Sequence, residues 1–274
     1  MHSVVVVVVS TQGRSFYEAL THPDHGDGYG LPMLLALFVL MATTTAPPIE
    51  VTVVVPLCDN ALIACGRAAA GDPRALETNL YWGAMYGAER WLSRAPGFHV
   101  VTKADAPDAE RPALLRRVVV ERRAAAGERV VRLTLLAFDG AHIDDAVAYF
   151  FAQARTPTSD LLVWAGHDRL MDVAPPTTTA TTTATTTTPS RVAVLACESD
   201  RYFGPALRAL GAQPVAMTRT FMAPEAYLLE ALAGSVARHG VDARQPLRAA
   251  LIAAYAKYQR LSTRAAGSVF TSLP

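Results

Sequence analysis

The chain has 274 residues, 51% of them hydrophobic and 18% charged, which supplies a sizeable core and excludes a disordered composition. Its formal net charge of +1 and pI near 7.8 exclude a broad basic footprint for nucleic acid. Three cysteines, Cys58, Cys65 and Cys197, with no CxxC spacing, exclude a disulfide framework and a paired-cysteine zinc site. Two alternatives stand for them: a Cys58–Cys65 pair in an oxidising compartment with Cys197 free, or three buried thiols.

In chain order, residues 1–47 read as a leader or signal-like segment outside the core. The stretch "LPMLLALFVLMATTTAPP" has an apolar run from Met33 to Ala42, followed by small residues suited to a cleavage site. The run is short for a bilayer span, so no stable membrane span is expected. If translation starts near Met33 the product is exported; alternatively the run is an N-terminal helix or strand of the fold and the product is cytoplasmic. "HPDHGDG" at His22 offers metal-type ligands, but its Gly and Asp mark a loop and no further histidine stands at metal spacing.

Residues 48–274 read as a single α/β domain with a mainly parallel sheet covered by helices on both faces. Ile49–Leu57 is a β-branched run with the character of a buried strand. Apolar and small positions from Leu76 to Trp91 predict a helix from about Pro73 to Ser93, despite Gly83 and Gly87. "RRVVVERRAAAGERVVRLTLLAF" predicts a hairpin, with Arg116, Arg117, Arg122 and Arg123 as solvated strand ends. "HIDDAVAYFFAQA" has one apolar helical face. Strands follow at Leu161–Ala165 and Val192–Ala196, then a helix over about 202–210 and a short strand "QPVAMT". Helices from Pro224 to about Arg238 and from about Pro246 to Leu261 complete the chain. Alternation of helices with apolar strands is the pattern of a parallel sheet.

The two strands of the 161–196 region end on reactive side chains. "LLVWAGH" stops at His167 and "VAVLAC" stops at Cys197. Between them lies a loop at 175–190, whose Thr177–Thr188 tract holds ten threonines and two alanines and has no periodicity able to bury a core face. Ligands of parallel sheets sit at the carboxyl ends of strands. A cysteine there, with a histidine on a neighbouring strand, is the pairing that nucleophilic thiol chemistry needs. An imidazolium beside Cys197 would hold its thiol pKa low.

These residues resemble the caspase, legumain and gingipain group of cysteine peptidases, in which one apolar strand ends in histidine and the next in Ala-Cys. "ACES" (Ala196–Ser199) is also similar to the residues around the legumain nucleophile. The segments "LETNLYWGAMYGAERW" and "TFMAPEAYLLEA" look like parts of an uncharacterised bacterial family. The resemblance implies a caspase-like three-layer sandwich and a cysteine endopeptidase acting by acyl transfer, with no cofactor and no metal. Cys197 would be the nucleophile and His167 the proton carrier. The backbone N–H groups of Asp168 and Cys197 would face the oxyanion. The group has Gly where this chain has Asp168, which puts a side chain and a charge beside that donor. Asp59 and Asn60, at the end of the first strand, are candidate substrate-binding residues, or caps of the next turn. Glu198 and Ser199 are expected to start a helix. The partner is a peptide or protein substrate and no nucleic acid. Two other readings share the fold: a catalytically inactive binding or scaffold protein, and a small-molecule thiol hydrolase.

Overall fold

A computed structural model describes residues 5–9, 15–19, 46–176 and 189–273. Residues 1–44 and 45–274 are separate compact units. In the first, Val5–Val9 (β1) and Ser15–Ala19 (β2) pair antiparallel. The apolar run after Met33, the His22 cluster and the threonine tract lie outside the described residues.

The second unit is α/β, with a seven-stranded sheet. Its strands are Ile49–Pro56 (β3), Phe98–Asp105 (β4), Leu114–Arg122 (β5), Val131–Phe138 (β6), Leu161–Ala165 (β7), Arg191–Leu195 (β8) and Gln213–Ala216 (β9). The order across the sheet is β4-β5-β6-β3-β7-β8-β9. The five strands from β6 to β9 are mutually parallel, and β5 runs against its neighbours.

Burial on both faces explains why these runs are almost continuously apolar. Val51, Val53 and Val55 enter one core with Leu161, Val163, Ala193 and Leu195. Val54 enters the other with Leu162, Trp164, Val192 and Val194. The first core is closed by Ala88–Leu92 (α1), Tyr227–His239 (α4), Arg244–Gln259 (α5) and Thr263–Gly267 (α6). Ile143–Arg155 (α2) and Ser199–Ala209 (α3) close the second. The result is a three-layer sandwich. Among the described residues no helix is long and apolar enough to cross a membrane.

Three features differ from the sequence expectation. The helix expected over 73–93 is a series of turns that becomes helical only in α1. At Gly83 a Cβ would lie 2.2 Å from the Leu76 carbonyl oxygen, so this glycine serves a tight turn and not a helix face. The strand β4 carried no buried alternation to announce it, because none of its residues is buried. Arg116 is not solvated at a strand end but buried, bonded to Asp105, Glu77 and Glu89. Three carboxylates around one guanidinium offset its desolvation and tie β5 to β4 and to the turns before and within α1.

Asn79 organises those turns. It is fully buried, and its side-chain oxygen accepts from the Cys58 and Tyr81 N–H groups at 2.9 and 3.1 Å. Its amide donates to the Cys58 and Asp72 carbonyls at 2.8 and 2.9 Å. Cys58 follows β3 and forms a disulfide with Cys65, leaving Cys197 as the free thiol. One side chain therefore fastens the loop beyond β3 on both the donor and the acceptor side. Asn79→Ala strands the buried backbone groups of Cys58 and Tyr81 together with the Asp72 carbonyl and is expected to cost about 3 kcal/mol, read as a lowered denaturant midpoint with unchanged slope. A loss below about 0.5 kcal/mol would show that the turns hold without it.

Candidate active site

The parallel pairing of β7 with β8 runs from Leu162↔Val192 to Ala165↔Leu195. His167 and Cys197 are each the second residue after that last pair, so they leave adjacent strands at the same level. The Gly166 N–H still donates to the Leu195 carbonyl at 3.3 Å, which keeps the two chains together beyond the strands. Gly166 is required there, because a Cβ would lie 2.8 Å from the Pro56 ring. β3, on the other side of β7, leads away toward the opposite edge of the sheet before the chain returns in β6 and β7. The order reverses between β3 and β7, beside the strand that carries His167, and ligands of parallel sheets bind at such reversals.

His167 is mostly buried, with 11% of its side chain exposed, and its Nε2 lies 2.9 Å from Asp172 Oδ2. Asp172 closes a short 3-10 turn over Arg169–Met171, so the carboxylate is delivered by the same loop that carries the histidine. If Nε2–H donates to the carboxylate, Nδ1 is the basic nitrogen. The Trp164 indole donates to the His167 carbonyl at 3.1 Å and fixes the loop from behind.

Cys197 stands at a sharp turn from β8 into α3. Glu198 adopts φ 45°, ψ 33°, a left-handed conformation that a residue with a Cβ adopts only at a cost of about 1–3 kcal/mol. The segment after β9 holds this turn. Glu198 N–H donates to the Thr220 carbonyl at 3.0 Å, Ser199 N–H to Thr218 Oγ1 at 3.1 Å, and Asp200 N–H to the Thr218 carbonyl at 2.9 Å. Thr218, fully buried, also donates its hydroxyl to the Ala196 carbonyl. The N–H groups after Cys197 are thus consumed. Among the described residues the N–H groups of Cys197 and Asp168 have no acceptor. They are two uncommitted donors, one on each strand exit.

The thiol itself lies against Met222, donating to its carbonyl at 3.5 Å and accepting from its N–H at 3.4 Å. Among the described residues no hydrogen bond joins it to the His167 ring. Burial pushes the Cys197 thiol pKa up, and the carboxylates of Asp168 and Glu198 add to this, against the Met222 N–H. The expected low thiol pKa is therefore reversed in direction, because two carboxylates and an apolar setting outweigh that single N–H donor. The phenols of Tyr81 and Tyr255 are also pushed up, first by burial, with Cys197 and Glu225 as nearby negative groups.

Asp59 and Asn60 lie on the loop beyond β3. Asp59 Oδ1 accepts from the Ala61 N–H at 2.9 Å, an Asx turn. Asn60 accepts from Cys65 N–H at 3.0 Å and donates to the Gly66 carbonyl at 3.2 Å. Their side chains hold the disulfide loop. Ser199 opens α3, and its hydroxyl donates to the Val194 carbonyl at 2.8 Å. Among the described residues no group of three or more His, Cys, Asp or Glu side chains is gathered to hold a metal. Asp172, Thr218 and Met222 are site residues that the sequence did not single out.

Asp168 is a further such residue through its side chain. It is fully buried; Oδ1 accepts from the Leu170 N–H at 3.0 Å and, among the described residues, Oδ2 has no partner. Burial pushes its carboxyl up to about 7, and Asp172 and Glu198 add to the rise. Comparison with family models, curated proteins and solved structures finds no match to this chain.

Between about pH 4 and pH 7 a carboxyl raised from 3.8 to about 7 on folding is protonated in the native state while the unfolded chain is ionised. Its stabilising proton is fully present below pH 4 and is lost as pH rises through 7. Asp168→Asn removes that dependence. Relative to the parent, the variant is expected to gain about 3–4 kcal/mol between pH 4 and pH 8, read from urea midpoints at the two pH values. Parallel pH profiles would mean that the carboxyl titrates normally.

Proposed function

We propose that the chain is a cysteine-dependent peptidase acting by acyl transfer, with Cys197 as nucleophile and His167 as general base and acid. The observation that carries this reading is the level exit of the two residues from adjacent parallel strands, each beside an uncommitted backbone N–H. The raised thiol argues for a protonated resting cysteine. In this mechanism the thiol leaves its contact with Met222 when a peptide carbonyl enters the crevice. His167 Nδ1 takes the thiol proton as sulfur bonds to the carbonyl carbon. Asp172, a positioning residue, holds the ring and stabilises the imidazolium. The Cys197 and Asp168 N–H groups donate to the oxyanion that forms. The imidazolium then protonates the leaving amine as the C–N bond breaks. Water, deprotonated by His167, releases the acid and restores the thiol. Phe221, 69% exposed and next to Met222, offers an apolar surface for a substrate side chain.

A second reading is a catalytically inactive scaffold. The bond of the thiol to the Met222 carbonyl and the absence of a hydrogen bond to His167 among the described residues favour it.

Hydrolysis of an internally quenched peptide library separates the two. The peptidase reading predicts turnover that Cys197→Ala abolishes and His167→Ala lowers by about 10²–10⁴-fold. Asp172→Asn is expected to lower kcat about tenfold or more and to displace the pH profile, with KM nearly unchanged. Turnover equal in the parent and Cys197→Ala, or none in the parent, would remove the peptidase assignment.

A further inference from the structure

The helices of the second layer do not cover the whole sheet. α2 packs over β3 and β7, and α3 packs over β8 and β9. On this face the strands β5, β6 and β3 border a cavity of about 480 Å³, within the size range of small-molecule sites. Met222, Tyr81 and Tyr255 belong to the opposite side, with the α4–α5 core, and Cys197 bonds Met222 there, so this cavity is separate from the candidate active site.

The floor of the cavity interrupts the apolar pattern at one place. Thr52 of β3 and Thr134 of β6 are register partners in the middle of parallel strands, followed on the same face by Val54 and Leu136. Both threonines are half-buried, and among the described residues neither hydroxyl has a hydrogen-bond partner. Tyr149 of α2 forms part of the wall. Burial pushes its phenol up, and Arg111 and Arg117 act against the rise.

The charges around the cavity are paired with one exception. Glu50 bonds Arg132 at 2.8 Å, and Arg132 reaches Glu121 at 3.0 Å. Arg111 is held by Asp108 and lies over the Tyr149 ring at 5.3 Å. Arg117 lines the cavity, is exposed, and among the described residues has no carboxylate partner. A solvated strand face accounts for an exposed arginine. It does not account for a concavity that joins this arginine to two unbonded hydroxyls on adjacent interior strand positions and to an aromatic wall.

We infer that this cavity binds a small monoanionic carboxylate whose charged end meets Arg117 and the Thr52 and Thr134 hydroxyls and whose body lies against Tyr149. The single uncompensated cation sets the charge. A guanidinium matches a planar carboxylate with two parallel N–H donors, and the hydroxyls supply further donors. Glu50 and Asp108 also line the cavity, and their arginine partners are already engaged, so no cation is left over for a second negative charge. The inference is independent of the peptidase reading.

The test is calorimetric titration of the full chain with benzoate, its neutral analogue benzamide, and phenyl phosphate. Benzoate is expected to bind saturably in the millimolar range, with benzamide at least about tenfold weaker. Arg117→Gln, a change at an exposed residue, is expected to weaken benzoate about tenfold while leaving the unfolding midpoint unchanged. Thr52→Val is expected to weaken benzoate several-fold with little effect on benzamide. No saturable benzoate binding up to tens of millimolar, equal binding of benzamide, or a benzoate affinity untouched by Arg117→Gln would overturn the site. Phenyl phosphate bound more tightly than benzoate would overturn its assignment to a single negative charge.

Discussion

The parallel pairing of β7 with β8 is the constraint on which the candidate site depends. Ala165↔Leu195 is its last rung, and His167 and Cys197 each follow two residues beyond it. Parallel pairing sends both chains out of the sheet at one edge. Equal distances from the last rung then bring a histidine and a cysteine to the same level. An antiparallel pair would have sent the two exits to opposite edges. Burial on both faces gives this pairing its rigidity: Leu161, Val163 and Ala165 pack into one core, and Leu162 and Trp164 into the other. A one-residue slip would exchange those two sets and is correspondingly costly.

The strand exits are then shaped by polar fastenings. Asn79 holds the loop beyond β3, and Thr218 and Thr220 hold the turn after Cys197. These bonds consume the N–H groups of the first turn of α3 but, among the described residues, leave those of Cys197 and Asp168 without an acceptor. The same packing buries two groups whose charged forms it disfavours, the Cys197 thiol and the Asp168 carboxyl. Both are pushed toward protonation for one reason, removal from water beside like charges. Asp168 in its neutral form places less negative charge beside the thiol than an ionised carboxylate would. Perturbed titratable groups gathered at the ends of parallel strands support this edge as the site of the proposed chemistry.

Much of this arrangement was legible in the residues. The buried strands announce themselves as β-branched runs, and His167 and Cys197 stand out because each ends such a run. The helix α2 carries a clear apolar face through Ile143, Val147, Phe150, Phe151 and Ala154. The misreading at 73–93 has a physical cause. Small and apolar residues spaced through Gly83 and Gly87 imitate a helical stripe, while the turns they form are held by Asn79, whose partners lie up to 21 positions away. β4 has no core face for a pattern to reveal. Asp172 pairs with His167 through a local turn, and Met222 reaches Cys197 only through the path of the chain after β9; neither relation has a spacing signature. The partner of Arg116 could not be read either, because its three carboxylates come from separate segments.

The central claim is that Cys197 and His167 act as one unit on an acyl group. Reaction with a peptidyl acyloxymethyl ketone tests it most directly, because such a reagent places a carbonyl before the thiol and needs no substrate to be known in advance. The account predicts a covalent adduct on Cys197, located by peptide mass mapping, that forms far more slowly in His167→Ala at the same pH. Adduct formation at equal rates in the two proteins would contradict it.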